Sequence, residues 1–213
     1  MVELFDLNFL SVMTAVFLYF WGMKRLFLAI PLHAGGALPD LLNRLHKKLG
    51  HERINWVNPA NLHLTLKFLG ETPSSRIPEI NAAMNVCLSK HKSFQLDFDK
   101  TGIFGSRYDP RVIWLGPTQI PAEITSLAND VLDTFDAIGF LRDRQNFVPH
   151  LTLGRIKALH DKRLFQEVVQ QIPQQLYLRE EVSRIILFES ILRKEGPLYK
   201  VEQAFSLKSS NVV

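Results

Sequence analysis

Apolar residues recur along this chain in two rhythms. Over 38–49, Leu38, Leu41, Leu42, Leu45 and Leu49 fall three or four positions apart, the spacing of one helix face. Ile124, Leu127, Val131, Leu132 and Phe135 do the same over 121–138, and Leu164, Phe165, Val168, Val169 and Ile172 over 161–172. A fourth helix at 76–89 is less regular, with Ile77, Ile80, Met84, Val86 and Leu88. The other rhythm is the short block of Val, Ile, Leu or Phe bounded by Pro, Gly or Asn, which marks a strand. Such blocks stand at 25–32, 55–57, 62–68, 94–103, 112–115, 150–155, 182–192 and 200–207. In order, one half reads strand, helix, short strand, strand, helix, strand. The other reads strand, helix, strand, helix, then further strands. Each half has about two helices and three or more strands. The pattern predicts an α+β fold of two pseudo-symmetric lobes, each an antiparallel sheet with helices, around a central cleft. No Gly/Ser-rich joint separates the halves, so the lobes are expected to share one core.

The repeat is also literal. "HLTLKFLG" occupies 63–70 and "HLTLGRIK" occupies 150–157. Successive side chains of a strand point to opposite faces. Strict alternation puts His63, Thr65 and Lys67 on one face and Leu62, Leu64, Leu66 and Phe68 on the other. In the second copy His150 and Thr152 share a face, opposite Leu151 and Leu153. With the leucines anchored in a core, the two strands can face each other across the cleft and furnish it with two imidazoles and two hydroxyls.

That set suits in-line opening of a phosphodiester. Histidine titrates near neutrality, so one ring can be charged while the other is neutral. The neutral ring takes a proton from water and the charged one gives a proton to a leaving oxygen. Threonine hydroxyls donate to non-bridging phosphate oxygens. A single H-x-T is common and usually a satisfied structural histidine; two copies in matching strands point to chemistry. Two histidines with no carboxylate or cysteine partner make a poor metal site. The remaining histidines, His33, His46, His51, His91 and His160, lack repeated context and read as surface residues. Arg155 ends the second motif and is a candidate for holding phosphate, although strict alternation puts it on the leucine face. Tyr199 and Phe147 are candidates for stacking on a base, and Arg107 and Arg111 flank a loop.

Composition changes this picture little. The chain has 213 residues, 46% hydrophobic and 22% charged, enough for a real core. A net charge of +4 and a pI near 9.2 suit an anionic ligand without demanding one. Cys87 is the only cysteine, which rules out an intrachain disulfide and a thiolate zinc site and fits the cytosol. The first 22 residues stand apart. "LNFLSVMTAVFLYFWGM", at 7–23, is uncharged but at the short end for a membrane span, and Glu3 and Asp6 spoil it as a signal peptide. The reading adopted is a hydrophobic extension at 1–22 ahead of one bilobal domain at 23–213, over a packed helix or membrane contact through 7–23.

At these residues the chain resembles the two-histidine phosphoesterase superfamily, and within it the RNA 2′,3′-cyclic phosphodiesterases, also called 2′-5′ RNA ligases. "KRLFLAIPL" (24–32) is similar to that family's opening strand, and "INWVNPANLHLTLKFLGE" (54–71) to its first motif. "DPRVIWLG" (109–116) and "NFVPHLTLGRIK" (146–157) resemble its middle strand and second motif, and "LFESILRKEGPLYKVEQAFSL" (187–207) its closing hairpin. The resemblance spans 24–207. It implies hydrolysis of terminal 2′,3′-cyclic phosphates to 2′-phosphates, and reversible 2′-5′ joining, with no metal and no cofactor. It carries His63 over as proton donor, His150 as proton acceptor, and Thr65 and Thr152 as phosphate-binding hydroxyls. The expected partners are RNA ends or nucleotides bearing a cyclic phosphate, bound by a monomer with no obligate protein partner. The loops at 104–111 and 193–199 are where substrate preference is expected to reside.

Overall fold

The computed structural model describes residues 22–142 and 146–210. The extension expected at 1–22, and the apolar run 7–23, lie outside these apart from Gly22 and Met23. The elements in chain order are β1 (Met23–Pro31), α1 (Leu38–Leu49), β2 (Arg53–Trp56), β3 (His63–Pro73), α2 (Ile77–Leu88), β4 (Phe94–Phe98), β5 (Lys100–Gly105), β6 (Pro110–Gly116), α3 (Ala122–Ala137), β7 (Leu151–Ala158), α4 (Lys162–Gln170), β8 (Leu178–Val182), β9 (Arg184–Arg193) and β10 (Gly196–Ser206). The helices fall within two residues of their expected bounds because their starts are written locally. Pro39 and Pro78 sit in the first turns of α1 and α2, where a missing N–H costs nothing. Pro121 precedes α3, and the Asp161 carboxylate caps α4 by accepting from the Leu164 N–H at 2.8 Å. All five leucines of the α1 stripe are buried, each worth roughly 1.5–3 kcal/mol of transfer free energy.

The strands form two four-stranded sheets, β10-β9-β1-β3 and β2-β7-β6-β5, with a two-stranded sheet β4-β8. Every ladder is antiparallel. The lobes are not consecutive halves of the chain. β2, from the first half, joins the second sheet, while β9 and β10, from the second half, complete the first sheet. One cluster of buried side chains, reaching from Leu28 and Leu64 to Ile113 and Leu153, runs through both. Among the described residues no helix is long and apolar enough to cross a membrane.

One expected strand proves to be two, and one strand was not expected. The run 94–103 breaks at Asp99, whose N–H donates to the Gly116 carbonyl and whose carboxylate accepts from the Thr118 N–H. β4 therefore pairs with β8 and β5 with β6. The run 182–192 matches β9 except at its start, where Val182 closes β8; the rest of β8, 178–181, is charged at Arg179, Glu180 and Glu181 and carries no apolar block to mark it. The break at Ser183 puts β8 and β9 into different sheets.

The motif strands depart from strict alternation at matching places. Along β1 and β3, Ala29 faces Thr65 and Leu28 faces Lys67, so Leu66 is an extra residue. Along β6 and β7, Trp114 faces Thr152 and Ile113 faces Gly154, so Leu153 is extra. An inserted residue shifts the alternation of everything beyond it. Lys67 is consequently buried, 3% exposed, and donates to the Leu141 carbonyl at 2.6 Å, while Phe68 is 56% exposed. The expected pairing of Lys67 with His63 and of Phe68 with the leucines is thus inverted, and Arg155 leaves the leucine face to which alternation assigned it.

Candidate active site

His63 opens β3 and His150 immediately precedes β7. Each ring is tied to its own chain two residues back: His63 Nδ1 to the Asn61 carbonyl at 2.7 Å, His150 Nδ1 to the Val148 carbonyl at 2.8 Å. A carbonyl only accepts, so Nδ1 carries the hydrogen in both rings. That leaves each Nε2 with a lone pair when the ring is neutral and an N–H when it is charged. The duplicated letters therefore encode a duplicated tautomer.

Aromatic side chains hold both rings. Phe27 and Tyr199 lie 5.1 and 5.2 Å from the His63 ring centroid, Tyr199 edge-on. Phe104 meets His150 edge-on at 4.7 Å and is itself backed by Trp114. Trp114 lies across from Gly102 in the β5–β6 ladder, and a Cβ on residue 102 would come 2.1 Å from its indole ring, so only glycine leaves room for that backing.

Thr65 and Thr152 follow on the same faces, half-buried, and neither hydroxyl hydrogen-bonds to the protein among the described residues. Strands β3 and β7 touch although they belong to different sheets. Arg155, turned by the Leu153 bulge, is exposed and borders two cavities. Burial holds the His63 pKa below its ordinary value, the Asn61 carbonyl opposes this, and the charges of Arg155 and His150 add to the depression. His150 is lowered by burial, opposed by the Val148 carbonyl and helped by Arg155. The two imidazoles and the guanidinium thus lie within each other's electrostatic reach.

Of the weaker candidates, Tyr199 stands beside His63, whereas Phe147 packs against the core. Arg107 is engaged with Gln166 and Arg111 with Asp109. Four of the other histidines lie at the surface or on exposed turns, but His91 does not. Its side chain is 11% exposed and faces the Asp130 carboxylate at 3.0 Å, because the turn after α2 tucks it against α3. Among the described residues no group of three or more His, Cys, Asp or Glu is arranged to hold a metal. Sequence reasoning missed Phe27, Phe104 and Trp114. Each is the one aromatic of its strand, which hydropathy alone reads as core.

The profile of LigT-like phosphoesterases matches the chain twice in tandem, over residues 30–114 and 115–199. The RNA 2′,3′-cyclic phosphodiesterase of Archaeoglobus fulgidus is 31% identical over 182 residues, 85% of this chain and 99% of that one. Its counterpart in Aquifex aeolicus is 31% identical over 153 residues, 71% of this chain and 81% of the relative. In three dimensions the fold is similar to Escherichia coli LigT complexed with 3′-AMP, with a TM-score of 0.65 and 26% identity over 87% of this chain and 98% of that one. With one H-x-T strand in each matched half and the two strands in contact, the chain belongs to the LigT-like phosphoesterase family.

Proposed function

We propose that this chain is a phosphoric diester hydrolase that opens RNA 2′,3′-cyclic phosphate ends to 2′-phosphomonoesters, with His63 as proton donor and His150 as proton acceptor. The observation that carries the reading is the matched pair of Nδ1-anchored imidazoles, each offering Nε2, with the Arg155 guanidinium within electrostatic reach of both. Relatives about 30% identical over most of their length are named for this activity.

The steps follow from the groups present. Arg155 pairs with the phosphate and the Thr65 and Thr152 hydroxyls donate to its non-bridging oxygens. Neutral His150 takes a proton from water at Nε2 as the water oxygen attacks phosphorus. The bond from phosphorus to the 3′ oxygen breaks in line, and His63, as imidazolium, delivers its Nε2 proton to that oxygen. One water is consumed, and the histidines regain their starting states by proton exchange with solvent. When a 5′-hydroxyl replaces water, the same steps form a 2′-5′ linkage. Acid and base are both imidazole, so no divalent ion enters these steps, and every group named comes from one chain, as suits a monomer. A second reading, hydrolysis of mononucleotide cyclic phosphates, is favoured by the relative complexed with 3′-AMP.

The test is turnover of an oligoribonucleotide ending in a 2′,3′-cyclic phosphate, with EDTA present. Formation of the 2′-phosphate supports the proposal. No turnover, or turnover only after Mg²⁺ or Zn²⁺ is restored, refutes it.

A further inference from the structure

Strand β2 breaks the symmetry of the cleft. In the first sheet the motif strand β3 is an edge; in the second, β7 is flanked by β2. β2 is held by a ladder from Arg53 opposite Ala158 to Trp56 opposite Gly154, continued where the Val57 N–H donates to the Leu153 carbonyl at 3.0 Å. In this register Asn55 stands directly across from Arg155. Directly opposed residues project from one face of a sheet, so Arg155 is flanked on its face by the Asn55 amide on the β2 side and by Val112 on the β6 side.

The same side of the cleft gathers more groups of this kind. Asn58 spends its carbonyl oxygen on the Ala60 N–H, which leaves its NH2 uncommitted. Asn61 donates to the Pro197 carbonyl at 2.9 Å and so pins the β9–β10 hairpin to the approach to the first motif. The hairpin tip then brings Arg193 and Glu195 to a cavity of about 550 Å³. A second cavity, of about 410 Å³, lies on the other side, lined by Phe27, Phe68, Leu192 and Arg25. The two share Arg155, Pro197 and Tyr199 and no other residue. Both are of small-molecule size. The first cavity adds amides, a guanidinium and a carboxylate to walls of Trp56, Val57 and Leu198, which together supply an aromatic face and the donors and acceptors that read the edges of an unstacked base.

We propose that the chamber bounded by Asn55, Asn58 and Glu195 is a second nucleoside subsite, so that the ligand is dinucleotide-sized and spans the Arg155–Tyr199 partition. This rests on the phosphodiesterase reading and extends it from the phosphate to the length of the substrate. The second nucleoside can come from two sources. It is either the 5′ neighbour of the terminal cyclic phosphate or the nucleoside esterified across phosphorus in a 2′-5′ link.

The experiment uses the full chain and three probes: adenosine 2′,3′-cyclic phosphate, a diribonucleotide ending in a 2′,3′-cyclic phosphate, and a 2′-5′-linked dinucleoside monophosphate. The first two are compared by kcat/KM. The third is compared with 2′-AMP by its inhibition constant. One dinucleotide form is expected to exceed its mononucleotide counterpart by about tenfold or more, the worth of one well-read base edge. Asn55→Leu and Glu195→Ala are each expected to bring that ratio down toward one. Glu195 is exposed at a hairpin tip, so its loss leaves the fold intact. Gain with the cyclic-ended dinucleotide assigns the chamber to the 5′ neighbour; gain with the 2′-5′ dinucleotide assigns it to the nucleoside across phosphorus. Equal values for mono- and dinucleotides, or a gain that survives both substitutions, overturns the proposal. If the wild type turns over no cyclic phosphate, the phosphodiesterase reading fails instead, and the dissociation constants of the 2′-5′ dinucleotide and of 2′-AMP, measured by calorimetry on wild type and both variants, decide the chamber.

Discussion

Substituting each histidine by alanine separates the donor from the acceptor if the leaving group is varied at the same time. In the free site burial and the Arg155 charge hold both histidines below their ordinary values. The proposed mechanism needs a proton on His63. Bound phosphate favours it: it neutralises Arg155 and sets an anionic oxygen beside the ring, removing one depressing influence and adding a stabilising one. Losing one imidazole costs about 10²–10⁴ in rate, or roughly 2.7–5.5 kcal/mol of barrier at 1.36 kcal/mol per tenfold. His63→Ala also forfeits ring contacts to Phe27 and Tyr199, about 0.5–1.5 kcal/mol each. A thermal melt must therefore accompany the kinetics, with a lowered but cooperative transition expected. The assay compares an ordinary 2′,3′-cyclic phosphate with one bearing sulfur at the 3′ bridging position. A thiol titrates near 8.5, far below an alcohol, so the thiolate departs with little help. His63→Ala is expected to recover to within about tenfold of wild type on the sulfur substrate, because its deficit was protonation of the leaving atom. His150→Ala is expected to keep its full deficit. Rescue of His150→Ala instead would invert the assignment, and equal deficits of both variants on both substrates would refute acid–base catalysis by this pair.

Four further outcomes follow from the geometry. The kcat/KM profile should be a bell whose limbs belong to the coupled pair and lie below the ordinary histidine range near 6.5, since both pKa values are lowered; Arg155→Gln should move it to higher pH, and an unmoved bell counts against the guanidinium's place. The same depression weakens the fold in acid: the unfolded chain takes up these protons first as pH falls through about 6.5, so stability is lost from there down through the folded values, and a His63→Asn, His150→Asn double variant should lose less between pH 7.5 and 5 in urea melts. Thr65→Val and Thr152→Val should each cost on the order of 1.5–3 kcal/mol in kcat/KM, one charge-assisted hydrogen bond, and a change below twofold in both would remove the hydroxyls from the site. Gly154→Ala should destabilise by about 1–3 kcal/mol, because its Cβ would fall 2.8 Å from Ile54 Cγ2 and 2.9 Å from the Trp56 ring, and an unchanged melting temperature would show that β2 yields easily.

How much of this was legible in the letters depends on what each residue answers to. The helices answer to local rules, a leucine stripe and a proline or aspartate at the start, and they stand where those rules place them. The histidines and threonines were legible because they lie ahead of any irregularity in their strands. Phe68 and Arg155 lie beyond one. Each is the fifth residue after its histidine, and each reaches the cleft only because one leucine, Leu66 or Leu153, is inserted into the ladder. Nothing in "HLTLKF" or "HLTLGR" announces that insertion; it is fixed by how the strand meets its partner, Leu28 and Ala29 on one side, Ile113 and Trp114 on the other. The exchange of β2 for β9 and β10 between sheets was equally hidden, since hydropathy records that a strand is buried and not which strand buries it. The two hidden features act together. Matching bulges bring residue five of each copy to the cleft, where the chain has placed an aromatic ring in one lobe and a guanidinium in the other. The exchanged strand then sets Asn55 beside the guanidinium only. The proposed acid–base pair thereby comes to sit between unlike neighbours, the Phe68 ring on one side and the Arg155 guanidinium with the Asn55 amide on the other. In the proposed mechanism that difference gives the ligand a direction, and with it a reason for one histidine to face the leaving oxygen and the other the water.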